Sequence, residues 1–117
     1  MSFSRYKNEK SFEERKKESS ILLSKYEGHI PVIVDKDTKC NFQDIEKQKF
    51  FVPSDLTFGH FLYVVRKRIN VPATETIFIF VNRKLPHSNV SMGSLYCSNK
   101  DSDGFLYCIY CSDSAYG

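Results

Sequence analysis

The chain has 117 residues, of which 41% are hydrophobic and 15% aromatic, and a formal net charge of +3. That size and apolar content suit one domain with a real core, and no apolar stretch approaches the roughly 20 residues that cross a bilayer as a helix. The start of the chain lacks the apolar core of a signal peptide, so a cytoplasmic location and reduced thiols are expected. Residues 1–25 hold the whole charge excess as Arg5, Lys7, Lys10, Arg15, Lys16, Lys17 and Lys25 against Glu9, Glu13, Glu14 and Glu18. Mixed signs of this kind read as a solvated helix face, and no nucleic-acid partner is expected.

In chain order, a short helical turn is expected from Ser4 to Lys10. Ser11-Phe12-Glu13-Glu14 is a capping box, in which hydroxyl and carboxylate satisfy the first free donors of a second helix. Phe12, Ser19, Leu22, Leu23 and Tyr26 fall on one stripe at helical spacing, with Arg15, Lys16 and Lys17 toward water. Gly28 should end that helix. The β-branched run His29 to Asp35 predicts a strand, and Pro31 within it argues for an edge or bulged position because proline cannot donate to a ladder. A polar stretch leads to a second, short strand at Phe50-Phe51-Val52, closed by Pro53, and the two strands pair as a loose hairpin.

Thr57 is a good N-cap, and Phe58, Phe61, Leu62, Val65 and Ile69 share one face of the helix that follows. Arg66-Lys67-Arg68 lie at its C-terminal end, where the dipole favours cations. Ile77 to Val81 reads as a continuous apolar strand, followed by a turn at Asn82-Arg83-Lys84. A short helical piece near Val90 to Tyr96, a turn from Asp101 to Gly104 and a last strand over Phe105 to Tyr110 complete the order. Without its two N-terminal helices the chain is ββαβαβ. The expected fold is α+β, a ubiquitin-like β-grasp with a four-stranded mixed sheet, a central helix, and the first and last strands side by side in the middle. The expected divisions are a helical extension over residues 1–27, a core over 28–111 and a flexible tail over 112–117.

Little in the sequence points to catalysis or metal binding. Cys40, Cys97, Cys108 and Cys111 are scattered. Cys108 and Cys111 have the spacing of a metal or redox pair, but three residues apart in a strand they point to opposite faces. No spacing joins a cysteine to His29, His60 or His87 as nucleophile, base and orienting group. The tail Ser112-Asp113-Ser114-Ala115-Tyr116 ends on Gly117. Such an ending suits a protein whose own carboxyl is the reacting group. A slender tail threads a narrow active-site channel, and glycine has no side chain to crowd the tetrahedral centre formed at its carbonyl.

Several ordered stretches carry a resemblance. Phe12-Glu13-Glu14-Arg15, Ile30-Pro31-Val32-Ile33, Phe51-Val52-Pro53-Ser54-Asp55-Leu56-Thr57, Tyr63-Val64-Val65-Arg66-Lys67-Arg68-Ile69, Ile77-Phe78-Ile79-Phe80-Val81-Asn82 and Asp103-Gly104-Phe105-Leu106-Tyr107 span nearly the whole chain. In these the chain resembles the ubiquitin-like autophagy modifiers, the group of the light-chain-3 and GABA-receptor-associated proteins. The resemblance implies that Gly117 is conjugated to phosphatidylethanolamine by activating and conjugating enzymes, and that a cysteine protease processes or releases it. Family precursors often carry residues after this glycine, so the expectation from the resemblance is a chain either encoded ready for activation or trimmed to the processed form. No cofactor is implied beyond the covalent lipid. The protein is expected to be a monomer that moves from the cytoplasm to autophagosomal, vacuolar or lysosomal membranes on lipidation.

The resemblance also implies docking of cargo receptors through short motifs, an aromatic residue, two spacers and an aliphatic residue, beside the second strand. An exposed strand edge there supports strand addition independently. By family position Glu18, Leu22, Pro31, Ile33, Lys49, Phe51 and Phe105 line an aromatic pocket. Phe50, Val52, Pro53, Leu56, Phe61 and Val64 line an aliphatic one, with Arg68 at its rim. Departures from the family pattern are Glu27, Gly28, His29 and Gln48, which thin the positive rim, and Ser11 in place of a proline, which loosens the expected bend between the N-terminal helices. Histidine's ordinary pKa near neutrality makes His29 a route to tighter binding of acidic motifs as pH falls toward 6. Other readings of the same residues are a docking module that is never conjugated and a peripheral membrane protein held by its basic helices, although firm anchoring ordinarily needs two signals.

Overall fold

The computed structural model describes residues 4–40, 45, 47–72 and 74–112. Two helices, α1 (Arg5–Glu9) and α2 (Phe12–Lys25), precede strands β1 (His29–Lys36) and β2 (Lys49–Pro53), the central helix α3 (Phe58–Ile69), strand β3 (Ile77–Val81), helix α4 (Met92–Asn99) and strand β4 (Leu106–Ser112). The strands form one mixed sheet in the order β2-β1-β4-β3, with β1 and β4 parallel at its centre and antiparallel partners outside. This is the expected β-grasp. The last strand runs one residue into the expected tail, since Ser112 is buried and pairs with Ile77. Gly117 lies outside the described residues.

Local chemistry accounts for the boundaries. The Ser11 hydroxyl accepts from the Glu14 N–H at 3.2 Å while the Glu14 carboxylate accepts from the Ser11 N–H at 2.9 Å, closing the capping box. The Glu14 carboxyl is held below the usual range first by that backbone hydrogen bond. The bend between α1 and α2 is present without proline, because Lys10 and Ser11 both adopt extended backbone. Thr57 caps α3 as expected, and Asn70 ends it in the left-handed region at φ 55°. α4 begins at Met92 behind its Ser91 cap, two residues later than the pattern suggested.

Pro31 departs from expectation, because β1 is an interior strand paired on both sides. Pairing with β4 begins only at Val32↔Leu106, so proline sits opposite Phe51 just before the parallel ladder needs a donor. The α2 stripe also departs: Ser19 is buried and Leu22 half-buried, whereas Phe12 and Tyr26 are 42% and 45% exposed.

The main core lies between the sheet and α3 with α4, built from Val32, Val34, Val52, Phe61, Val65, Ile79 and Leu106 among others. A smaller core on the opposite sheet face joins Tyr6 of α1 to Ile33 and Phe105, with Leu22 and Tyr107 against it. The N-terminal helices are thus part of the packed molecule. Cys40, Cys108 and Cys111 are buried free thiols and Cys97 is exposed; burial and then nearby Asp35 push the Cys108 thiol well above its ordinary range.

Candidate functional site: the outer edge of β2

β2 is an edge strand. Its even-numbered residues face β1, as the flanking bonds Val34 N–H to Gln48 C=O and Ser54 N–H to Gly28 C=O, both 2.8 Å, establish. By the antiparallel alternation the peptide groups of Lys49 and Phe51 face outward. The side chains alternate across the sheet in the same way. Phe50 and Val52 enter the main core beneath α3, while Lys49 and Phe51 lie on the α2 face, opposite Ile33 and Pro31.

On the α2 face, Phe51 is half-buried between two rings. Tyr26 meets it edge-on at 5.1 Å between centroids, and His29 stacks on it at 5.3 Å and 28°. The Lys49 ammonium pairs with Glu18 of α2 and lies 5.5 Å from the Tyr6 ring centre. Glu18 also accepts the Tyr6 hydroxyl and faces Lys10 Nζ at 3.7 Å. Burial first, then Lys10, pull the Lys49 ammonium below the usual lysine range. Burial, reinforced by Asp103, pushes the Tyr6 hydroxyl up to about 12, so it serves Glu18 as a donor at every ordinary pH.

On the α3 face, the Arg68 guanidinium lies 3.8 Å over the Phe50 ring. The same group donates at 3.3 Å to the carbonyls of Lys47 and Lys49, covering part of the outward edge. Leu56 and Val64 are half-buried against the core beside it.

Both expected residue sets therefore gather around β2, one on each face, but several are closed over. Pro31, Ile33, Phe61 and Phe105 are fully buried, and Phe50 and Val52 nearly so. Tyr6 and Leu22 fill the space above Ile33 and Phe105, and Arg68 covers Phe50. These six form the floor. The accessible walls are Glu18, Leu22, Lys49, Phe51, Leu56, Val64 and Arg68. Pro53 is exposed at the strand end with the parity of Phe51, so it sits apart from the Phe50 set to which family position assigned it. Sequence reasoning missed Tyr6, Lys10 and Tyr26 as groove residues. Lys10, the extended residue that ends α1, reaches back to place its ammonium 5.7 Å from the Tyr6 ring centre, a contact that no periodicity in the sequence marks.

A buried network fixes α2 relative to this edge. Asp103, fully buried, accepts from Arg15 Nη1 at 2.5 Å, the Tyr107 hydroxyl at 2.5 Å and the Phe105 N–H at 2.9 Å. The Ser19 hydroxyl donates to the Asp103 carbonyl at 2.5 Å; outside this network the exposed Lys7–Asp101 pair, at 2.8 Å, ties α1 to the same turn. Among the described residues no buried side-chain polar atom lacks a partner, and none of their His, Cys, Asp and Glu side chains form a group of three or more suited to a metal.

A β-grasp core carrying two packed N-terminal helices, with an edge strand flanked by apolar side chains on both faces, defines the chain as a ubiquitin-like protein. The model of the Atg8 ubiquitin-like autophagy proteins matches residues 14–117, and the chain belongs to that family. Similar proteins include "Autophagy-related protein 8" of Kluyveromyces lactis, 48% identical over 114 residues covering 97% of this chain and 92% of that protein. The Saccharomyces cerevisiae protein of the same name is 45% identical, with 97% of each chain covered. The crystal structure of Trypanosoma brucei ATG8 superposes with a TM-score of 0.91 at 33% identity, covering 96% of this chain and 97% of that one. Plasmodium falciparum Atg8, solved in complex with a Plasmodium falciparum Atg3 peptide, gives 0.84 at 34% identity, covering 94% and 99%.

Proposed function

We propose that this autophagy-related ubiquitin-like protein is a modifier, acted upon rather than catalytic. In this reading the Gly117 carboxylate attacks the α-phosphorus of ATP and releases pyrophosphate, and a cysteine of the activating enzyme then displaces AMP to form a thioester. The acyl group moves to a cysteine of the conjugating enzyme. The amine of phosphatidylethanolamine displaces that thiol to leave an amide. The chain supplies the acyl group and no resident cofactor; a cysteine protease hydrolyses the amide to return it to the cytoplasm. On autophagosomal, vacuolar or lysosomal membranes the anchored monomer recruits receptors through aromatic-x-x-aliphatic motifs.

The observation that carries this reading is the outward edge of β2, with Phe51 and Leu22 on one side and Leu56 and Val64 on the other, in a chain of the Atg8 family. Backbone bonds from an added strand supply affinity and alternate side chains supply selection. The complex of Plasmodium falciparum Atg8 with an Atg3 peptide supports a segment of the conjugating enzyme as one ligand. A short peptide containing Trp-x-x-Leu, titrated calorimetrically, should bind at about −8 kcal/mol, which is micromolar. Phe51→Ala should weaken it at least about tenfold, as loss of a central aromatic contact does. Absence of binding to the unaltered chain would overturn the docking half of the proposal.

A further inference from the structure

On the peptide-docking reading, the cations around β2 decide how the groove discriminates among flanking charges. Each of three cations at the start of β2 already has an acceptor within the chain. Arg5 donates to the Gln48 side chain at 3.1 Å and the Ile45 carbonyl at 2.8 Å, and Arg68 donates to the carbonyls of Lys47 and Lys49. Lys49, whose ammonium is on the aromatic side of the groove, pairs with Glu18, which also takes the Tyr6 hydroxyl and faces Lys10. Lys47 is exposed, where a single charge in water contributes little.

We infer that Glu18 is a resident competitor for the carboxylates that flank an incoming motif, making it the residue that sets the groove's charge preference. An acidic residue beside the motif's aromatic ring must take Lys49 from Glu18, so it exchanges one ion pair for another and leaves Glu18 facing a second carboxylate. A hydroxyl or uncharged residue at that position leaves the pair intact. The groove therefore accepts neutral-flanked motifs about as well as acid-flanked ones. Rim charges act mainly on selectivity, in keeping with this role.

The test compares two peptides that differ only in Glu or Ser at the positions before the aromatic residue, each titrated against the full chain at low salt. The unaltered protein should bind both within about twofold of each other. Glu18→Gln removes the charge but keeps an oxygen for the Tyr6 hydroxyl, and should shift the ratio toward the acidic peptide by about three- to fivefold, the range of an exposed ion pair. Ser4→Ala removes the N-cap of α1 without altering any charge and should leave the ratio unchanged. The inference is overturned if the unaltered chain already prefers the acidic peptide tenfold, if Glu18→Gln leaves the ratio where it was, or if Ser4→Ala shifts it equally, which would trace the effect to loosening of α1. Binding of neither peptide overturns it by removing the docking reading itself, a result distinct from two bound peptides with an unaltered ratio.

Discussion

Asp103 is a fully buried carboxylate that works because three donors converge on it. Removing one partner of such a pair strands charge in a low-dielectric interior, so Arg15→Ala should cost about 3 kcal/mol in a urea unfolding titration, with the remaining donors keeping it toward the lower end of the range. Burial and then the Asp103 carboxylate hold the Tyr107 hydroxyl protonated, so it stays a donor throughout. Asp35 illustrates the opposite sign. Burial is the largest influence and raises its carboxyl above the ordinary aspartate range, against the lowering effects of Ser4 and Arg5. A raised folded pKa means the native state binds the extra proton, so stability contributed by this group falls as pH rises from about 4, the unfolded value, through the folded one. Asp35→Asn, which does not titrate, should thus gain on the parent chain as pH rises to 7, and the two should converge below pH 4. A gap independent of pH would contradict this.

At the scale of elements, the strands, α3 and the capping box were legible because their determinants are local. Alternation marks β2 and β3, a hydroxyl three residues before a carboxylate marks α2, and the apolar spacing from Phe58 marks α3. Ser11→Ala should lower stability by about 1 kcal/mol in thermal unfolding, the usual cost of losing an N-cap. What was not legible was which side of α2 meets the body. The contact is made by small and polar groups: Ser19 packs on Gly104, whose φ is 92° and where an added Cβ would stand 2.9 Å from the Ser19 Cβ. Hydrophobic periodicity cannot report a contact that selects for smallness, so the stripe that Phe12, Leu23 and Tyr26 mark by their spacing remains partly exposed. Gly104→Ala should accordingly cost at least about 2 kcal/mol and separate α2 from the sheet. Loss of hydrogen-exchange protection in α2 would register that separation. That most of the named residues gather at the β2 edge was legible, but Pro53 sits apart from its set, Tyr6, Lys10 and Tyr26 were missed, and closure was not legible because Tyr6 and Arg68, the side chains over the floor, reach β2 from elements far away in sequence.

For the whole molecule, the sheet divides the labour. One face builds the main core with α3 and α4. The other receives the N-terminal helices through the Tyr6–Ile33–Phe105 cluster, the Asp103 network and the Glu18 pairs. The β2 edge lies where these faces meet, so one strand presents both sides of the groove. β4 carries the chain from the centre of the sheet toward Gly117. The most direct test of the modifier account is to incubate the full chain with a family activating enzyme, a conjugating enzyme, ATP and phosphatidylethanolamine liposomes, and to read the product by intact mass beside a chain lacking Gly117. The account predicts a mass gain equal to the lipid less water, absent from the shortened chain. No adduct, with both enzymes active on another substrate, would contradict it and leave an unconjugated peptide-docking module.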